Sequence, residues 1–237
     1  MTNSMNTNFD YLIISPHPDD AVASLGQHIL NWQREGKTVK VITVFNEYGT
    51  EELSSENAWD YLLKSGFKNV KEFATARHLD DRRVMTELGV EFEYLNYVDA
   101  AFRRFSNTTV YLTAQALMSG RPSTFDSGLP AKIYADLSGI EAKTTLFPYG
   151  VGGHVDHAIL RKVGDKLKKD NQNVMFYLES PYLWRHLNYL KYSVHILRAK
   201  SYINQIDNKM KLLKDYPSQY QMLVHPHEKF PEVVVDR

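Results

Sequence analysis

Two short clusters of histidine and aspartate contain the side chains best suited to chemistry. The segment His17–Asp20 (HPDD) follows an apolar run at residues 11–14, and the segment Gly152–His157 (GGHVDH) follows another at residues 144–147. Open α/β sheets bind their ligands at strand ends. Because the chain has no cysteine, the side chains left to hold a metal ion are imidazoles and carboxylates. The two clusters therefore predict one divalent metal site built from both halves of the chain.

The spacing within each cluster allows its side chains to converge. His17 and Asp20 are three residues apart across a turn that enters a predicted helix, and His154 and His157 have the same separation. A catalytic zinc ion usually takes three protein ligands and leaves one position open for water. His17, Asp20 and His157 can supply two nitrogens and one oxygen, which leaves the other two aspartates of the clusters for other work.

Each cluster also has a purely structural interpretation. Asp19 or Asp20 suits the N-cap of a helix, and Pro18 suits a simple turn. The segment His154–His157 can be a polar helix start stabilised by the helix dipole. Neither cluster decides between the two interpretations alone, but the presence of both, each after a predicted strand, favours the metal site.

The elements that must position these clusters have an α/β pattern. A strand is predicted at 9–15, a helix at 23–34 and a β-branched strand at 38–45, followed by a polar loop at 46–55. This order favours a right-handed crossover. Further helices are predicted at 73–88, 108–117, 130–137, 156–168 and 200–214, and further strands at 90–95, 144–147, 174–178 and 193–197. The expected fold class is α/β, with a Rossmann-like, mostly parallel sheet flanked by helices.

Composition limits the class of protein. The 237 residues have a formal net charge of zero and are 24% charged, without a basic block, so a nucleic-acid or anionic-membrane partner is not expected. A transmembrane segment or a signal peptide is not expected either, which predicts a cytoplasmic protein. We expect a single domain over residues 1–237, with residues 1–8 as a flexible tail.

The motifs resemble those of the LmbE-like, or PIG-L, family of zinc-dependent N-deacetylases. Pro16–Asp20 matches the family's Pro-His-Pro-Asp-Asp motif, and His154–His157 matches its His-x-Asp-His motif. Weaker similarity covers most of the rest of the chain, at residues 41–45, 76–90, 99 and 216–219. Two positions depart from the pattern of many members: Ala21 stands in place of a glutamate, and Gln27 in place of a second glycine.

The resemblance implies a role for each residue of the two motifs. It implies that Asp19 is the general base and that His154 stabilises or protonates a tetrahedral intermediate, with Asp156 orienting His154. The zinc ligands it implies are His17, Asp20 and His157.

The resemblance also implies contacts to substrate hydroxyl groups from Arg77 and Asp99. A solvated helix charge explains Arg77 equally well, and a turn cap explains Asp99 equally well. The aromatic segment 177–192 suits stacking on a sugar ring, but core packing is the favoured interpretation for most of its residues.

The expected function is hydrolysis that removes an acetyl or other acyl group from the amine of an N-acetylated amino sugar or glycoconjugate. The expected cofactor is Zn²⁺, and the same ligands are compatible with Fe²⁺. The alternatives are a metal-dependent amidase acting on a non-sugar or thiol-conjugate amide, and, less favoured because Asp19 is present, a non-catalytic metal- or ligand-binding protein. The expected partner is a small-molecule N-acylated sugar, and a homo-oligomer is compatible with the sequence.

Overall fold

The computed structural model describes residues 9–50, 56–184, 186–224 and 230–236. Its strands are β1 (Phe9–Ser15), β2 (Val39–Glu47), β3 (Glu91–Val98), β4 (Arg104–Phe105), β5 (Thr108–Thr109), β6 (Ala142–Pro148), β7 (Val174–Tyr177), β8 (Ser201–Ile203) and β9 (Glu232–Val235). Its helices are α1 (Asp20–Arg34), α2 (Glu56–Lys64), α3 (Val70–Leu88), α4 (Ala114–Leu117), α5 (Leu129–Leu137), α6 (Val155–Lys169), α7 (His186–Leu197), α8 (Asp207–Leu213) and α9 (Tyr220–Leu223). The predicted tail at residues 1–8 lies outside the described residues.

The central sheet has seven strands within the described part of the chain, in the order β3-β2-β1-β6-β7-β9-β8. The first five are parallel, and β9 runs antiparallel to both β7 and β8. In the middle of the sheet, Ile13 pairs with Val41 on one side and Leu146 on the other. β-Branched, nearly continuous apolar runs are typical of strands buried on both faces. The predicted mostly parallel α/β fold is confirmed.

Helices cover both faces of the sheet because successive side chains of β1 point in opposite directions. Leu12 and Ile14 belong to an apolar cluster with residues of α5, α6 and α7. Ile13 belongs to a second cluster with residues of α1, α3 and α8. The resulting three layers hold α1 and α6 against opposite faces of the same strands.

The topology brings the two predicted clusters together. Strands β1 and β6 are adjacent and parallel, so their carboxyl ends lie at the same edge of the sheet. The first cluster connects β1 to α1, and the second follows β6 and leads into α6. Both helices therefore begin at the edge where parallel sheets bind ligands.

Several predicted elements are wrong in detail. The helix predicted at 108–117 is reduced to α4, because Thr113 caps that helix by accepting a hydrogen bond from the backbone N–H of Ala116. The strand predicted at 193–197 is the end of α7, in which Tyr192 packs into an apolar cluster. The helix predicted at 200–214 is reduced to α8, with β8 before it. Among the helices of the described residues, none is long and apolar enough to cross a membrane.

Candidate metal centre

Asp19 stands at the N-cap of α1 with a strained backbone. Its φ is 101° and its ψ is −36°, and its side chain makes no capping hydrogen bond. A non-glycine residue in such a conformation costs on the order of 1–3 kcal/mol and persists only where its surroundings hold it. Arg77 supplies part of that hold, since its Nη2 donates to the carbonyl of Pro18 at 2.7 Å and to Oδ2 of Asp19 at 3.2 Å. The simple capping interpretation of Asp19 therefore fails.

The three predicted metal ligands meet around one carboxylate oxygen. Oδ2 of Asp20 lies 3.1 Å from Nδ1 of His17 and 3.3 Å from Nε2 of His157. The backbone N–H of His17 also donates to this oxygen, at 3.1 Å. Because α1 carries Asp20 and α6 carries His157, the packing of both helices on adjacent strands sets these distances.

His157 has one ring nitrogen bonded and one left over. Its Nδ1 lies 3.1 Å from Oε1 of Glu179, a fully buried carboxylate that follows β7. Its Nε2 is also buried, and it makes no hydrogen bond even though Asp20 lies nearby. Buried polar atoms without a hydrogen-bond partner are uncommon in folded proteins. This nitrogen is therefore free to bind a ligand that shares the space with Asp20.

The opposite side of His17 faces a second pair of carboxylates. Its Nε2 lies 3.2 Å from Oδ2 of Asp156 and 3.7 Å from Oδ2 of Asp99. The His154 ring packs edge-on against the His17 ring, with the ring centroids 4.8 Å apart. These residues form two groups, and within each group the possible ligand atoms all lie within 4.8 Å of one another. One group is His17, His154 and His157, and the other is His17, Asp99, His154 and Asp156.

Asp156 contacts His154 through its backbone rather than through its carboxylate. Nδ1 of His154 accepts a hydrogen bond from the Asp156 N–H at 3.3 Å, which caps α6. The Asp156 carboxylate instead accepts from the N–H of Ala100 at 2.9 Å and from Nη2 of Arg103 at 2.5 Å. Asp156 thus contacts His17 through its carboxylate and His154 through its backbone N–H.

Negative charge dominates the buried surroundings. The buried carboxylates of the site belong to Asp19, Asp20, Asp99, Asp156 and Glu179. The guanidinium groups beside them are those of Arg77 and Arg103, at 3.2 Å from Asp19 and 2.5 Å from Asp156. Two cations against five carboxylates leave an excess of negative charge, which a divalent cation between the side chains would reduce.

The pKa values of the imidazoles record the same excess. Burial on its own lowers the pKa of His17, but Asp99, Asp156 and Asp20 outweigh it and raise that pKa to about 10. Burial likewise opposes protonation of His157, but Asp20 and Glu179 raise its pKa to about 9. The carboxylates therefore favour a positive charge at both rings, which a bound metal ion would supply in place of protons.

The donor set fits zinc. Two imidazole nitrogens and one carboxylate oxygen are ligands that zinc accepts at catalytic sites, and they are compatible with iron(II). The unbonded Nε2 of His157 is the atom that such an ion would satisfy.

Asp19 lies beside this centre with the properties of a proton acceptor. Burial raises the pKa of its carboxyl to about 7, against the opposing charge of Arg77. A catalytic base works best when its pKa lies near the operating pH.

A cavity of about 290 Å³ opens onto the centre. Its polar floor includes His17, Asp19 and His154, and Asp60 and Lys64 lie at its exposed rim. Its apolar wall is formed by Ala101, Ala114, Leu117, Met118, Pro181, Tyr182, Met222 and Leu223. The cavity therefore offers reactive groups at its base and apolar contact area nearer its mouth.

The two predicted substrate-binding residues both line this cavity but are already engaged by the protein. Besides its bonds to the Asp19 turn, Arg77 donates to the hydroxyl of Tyr61 at 2.5 Å. Asp99 caps the turn Ala100–Phe102 by accepting from the N–H of Ala101 at 2.8 Å. Substrate contact by these two side chains stays a prediction.

Aromatic residues of the segment 177–192 contribute to the core, although Tyr189 is 45% exposed. Tyr177 is fully buried and donates to the carbonyl of Ile14 at 2.8 Å, and Tyr192 lies in the apolar cluster around α6. Tyr182 is the aromatic of this segment that lines the cavity, within its described residues. The favoured core interpretation is confirmed for the buried members; Arg185 lies outside the described residues.

Sequence reasoning missed the residues that support the centre from behind. Glu179 holds His157, and Arg103 holds Asp156. Arg103 is held in turn by Asp126 at 2.7 Å, whose carboxylate also accepts from Tyr111 at 2.6 Å. Of these, only Glu179 carried a usable signal, because it follows directly after a predicted strand, as His17 does.

Comparison with known proteins identifies the class. The sequence profile of the family described as "PIG-L: GlcNAc-PI de-N-acetylase" matches residues 12–168. The chain therefore belongs to the PIG-L, or LmbE-like, family of metal-dependent de-N-acetylases, and it is an enzyme that hydrolyses amides.

Individual relatives agree with this class. The 2'-N-acetylparomamine deacetylase of Niallia circulans is 29% identical over 203 residues, which cover 76% of this chain and 70% of that protein. A protein of the same description from Streptomyces fradiae is 28% identical over 176 residues, covering 72% of this chain and 57% of its own length. The zinc-inhibited form of teicoplanin deacetylase Orf2 superposes with a TM-score of 0.73 at 18% identity, covering 95% of this chain and 96% of the other. This structural likeness shows a shared fold.

Proposed function

We propose that this protein is a zinc-dependent deacetylase that removes the acetyl group from the amine of an N-acetylated amino sugar or glycoconjugate. The observation that carries the proposal is the buried, unbonded Nε2 of His157, which faces Asp20 at 3.3 Å beside the strained Asp19. The substrates named for the relatives, an acetylated paromamine and teicoplanin, support the sugar-conjugate class.

The residues that would hold the metal are His17, Asp20 and His157. When bound, zinc supplies Lewis acidity, which acidifies a water molecule and polarises the amide carbonyl. The same ligands are compatible with iron(II). The remaining steps fall to the side chains around it.

Asp19 accepts the proton of the attacking water. Its raised pKa, about 7, keeps the carboxylate basic enough to take a proton and acidic enough to release it near neutrality. Arg77 fixes the direction of this carboxylate by bonding both Oδ2 of Asp19 and the carbonyl of Pro18. The same carboxyl group then returns the proton to the departing amine.

His154 donates a hydrogen bond to the oxygen on which charge develops. Its Nδ1 accepts the Asp156 N–H, so the proton of the neutral ring lies on Nε2. Burial and then the charge at His17 lower the pKa of His154 well below its ordinary value. A neutral ring is therefore the acting form, and we assign proton delivery to Asp19 rather than to His154.

The cavity suits an acetylated sugar that carries a further group. About 290 Å³ is enough for one sugar unit over the polar floor. The apolar wall that includes Leu117, Met118 and Tyr182 then faces the attached scaffold. Methionine side chains adapt to irregular apolar surfaces, so this wall tolerates different scaffolds.

The test combines metal analysis with acetate release. Purified protein is expected to contain zinc and to release acetate from 2'-N-acetylparomamine or another N-acetylated amino sugar of a panel, and to lose activity with a chelator and regain it with Zn²⁺. A panel that also holds N-acylated thiol conjugates and simple amides distinguishes a general amidase. Turnover confined to the non-sugar amides contradicts the proposed substrate class. The single domain over residues 1–237, the cytoplasmic location and a homo-oligomer stay predictions.

A further inference from the structure

Glu179 is a buried carboxylate whose contacts all lead to the metal centre. It has no exposed surface and follows the carboxyl end of β7. Oε1 accepts from the N–H of Gly150 at 2.6 Å and lies 3.1 Å from Nδ1 of His157. Oε2 accepts from the N–H of Val151 at 3.1 Å.

These contacts fix the state of the His157 ring. A carboxylate accepts hydrogen bonds, so the proton of the His157 ring sits on Nδ1, where Glu179 receives it. In the neutral ring, which is the form that binds a metal ion, the lone pair then lies on Nε2, the buried atom without a hydrogen bond, 3.3 Å from Asp20. Without Glu179 the ring could rotate or exchange its proton to the other nitrogen, and either change would remove the lone pair from the site.

The same carboxylate also holds the turn before α6. Gly150, Gly152 and Gly153 all have positive φ values, of 89°, 84° and 81°. The turn is close-packed, since a Cβ on Gly152 would lie 2.7 Å from the Tyr182 ring. By accepting the first two N–H groups of this turn, Glu179 sets the point from which α6 and its two histidines begin.

We propose that Glu179 is a positioning residue for the metal centre: it holds the His157 ring with Nε2 turned to the ion. This inference rests on the proposed metal site. It predicts that Glu179 acts on metal affinity, since outer carboxylates of this kind typically change metal affinity or activity by about 10–100-fold.

The chain contains a matched control. Glu232 is also fully buried and also accepts two backbone N–H groups, those of Gln27 at 2.8 Å and His28 at 2.9 Å. Its Oε2 lies 2.7 Å from Nδ1 of His28. Nε2 of His28, however, lies 2.8 Å from the hydroxyl of Ser201 and not in the cavity. Replacing Glu232 therefore removes matching contacts to a histidine ring and to two backbone N–H groups, together with an ion pair to Lys209, at a place away from the metal centre.

The experiment compares Glu179→Gln with Glu232→Gln. The dissociation constant for Zn²⁺ is measured by competition with a chromophoric chelator, and the melting temperature of the metal-free protein is measured alongside. We expect Glu179→Gln to weaken zinc binding by about 10–100-fold and Glu232→Gln to leave it within about twofold. Both variants are expected to lower the melting temperature of the metal-free protein. An unchanged zinc affinity in Glu179→Gln, or an equal loss in both variants, overturns the inference.

A second measurement needs no variant. In zinc-loaded wild-type protein with ¹⁵N-labelled histidine, long-range ¹H–¹⁵N spectra are expected to show His157 protonated at Nδ1 and bound to metal through Nε2. Binding through Nδ1 would overturn the inference even where Glu179→Gln does not fold. Wild-type protein that binds no Zn²⁺ or Fe²⁺ defeats the proposed function itself, so the two failures are distinguishable.

Discussion

Two buried glutamate–histidine pairs occur among the described residues, and they differ in where the second ring nitrogen points. Glu179 and Glu232 each accept two backbone N–H groups and bond Nδ1 of a histidine. In the Glu232 pair, the far nitrogen of His28 meets the hydroxyl of Ser201. In the Glu179 pair, the far nitrogen of His157 has no hydrogen bond and faces Asp20.

The difference separates a structural clamp from a ligand site. His28 and Asp20 lie on the same helix, eight residues apart, which is about 12 Å along the axis. The Glu232 pair ties the middle of α1 to β8 and β9, and every polar atom of the histidine ring has a partner. The Glu179 pair leaves one buried atom unsatisfied at the carboxyl edge of the parallel strands. Because this unsatisfied nitrogen lies beside the carboxylate of Asp20, a metal ion bound between the two would complete its bonding.

The largest expected effect separates the two histidines. His157→Ala removes a proposed metal ligand. We expect its loss of zinc affinity to exceed the ~100-fold loss that an outer residue causes, and we expect turnover to vanish. His28→Ala is expected to keep zinc affinity and turnover and to lower the free energy of unfolding, since it leaves Glu232 with one partner fewer. Metal analysis and denaturant unfolding check both variants. Full metal content in His157→Ala would show that His157 is not a metal ligand and that the two pairs do not differ in function.

The next effect concerns Asp19, the proposed base, which lies near the Glu179–His157 pair and not near the Glu232–His28 pair. Asp19→Asn is expected to lower kcat by about 10²–10⁴-fold with metal content retained, because a positioned proton acceptor contributes about that much. Asp80→Asn is the control: Asp80 is a buried aspartate that accepts from the N–H of Ser218 at 3.0 Å. Steady-state kinetics and metal analysis provide the comparison. Wild-type kcat in Asp19→Asn would show that Asp19 is not the general base.

A smaller effect is expected at the lysine beside the clamp. Lys209 is fully buried, lies 3.4 Å from Oε1 of Glu232 and donates to the carbonyls of Ala23 at 3.2 Å and Phe230 at 2.5 Å. Lys209→Met removes one partner of a buried ion pair, so we expect a loss of about 3 kcal/mol in the free energy of unfolding. Zinc affinity is expected to stay unchanged. The exposed neighbour in Lys211→Met should stay within about 0.5 kcal/mol of wild type. Chemical denaturation measures both, and weakened zinc binding in Lys209→Met would contradict the separation.

The smallest effect concerns Ser201. Ser201→Ala removes the hydroxyl that satisfies Nε2 of His28, and a partly buried hydrogen bond is worth about 1 kcal/mol. Activity and metal content are expected to stay at the wild-type level. In Ser193→Ala the lost hydroxyl bonds only the carbonyl of Leu190, on an exposed part of α7, so a smaller loss is expected. Lost turnover in Ser201→Ala would show that the second pair takes part in the reaction.

The sequence predicts the first part of the fold well. Strand β1, helix α1 and strand β2 carry a long apolar run, a helical period and a β-branched run, so each element is visible from its own residues. The same holds for β6, α6 and β7. Strands β8 and β9, by contrast, have three and four residues and are defined by antiparallel pairing with each other and with β7. Such short strands depend on contacts made far along the chain, which local patterns do not contain.

The candidate site divides in the same way. The meeting of His17, Asp20 and His157 was predictable, because each follows a strand and parallel strands end at one edge. Arg103 was not predictable, since its role comes from a contact with Asp156 that only the folded chain creates. The roles of Asp156 and His154 depend on which atoms bond, and the sequence identifies residues but not atoms.

An anomalous diffraction map from crystals of the purified protein, recorded above and below the zinc absorption edge, would locate the metal ion and its ligands directly. We expect one strong zinc peak, bonded to Nε2 of His157 and to His17 and Asp20. A peak bonded instead to His17, His154, Asp99 and Asp156, with His157 left unbound, would contradict this assignment of the ligands.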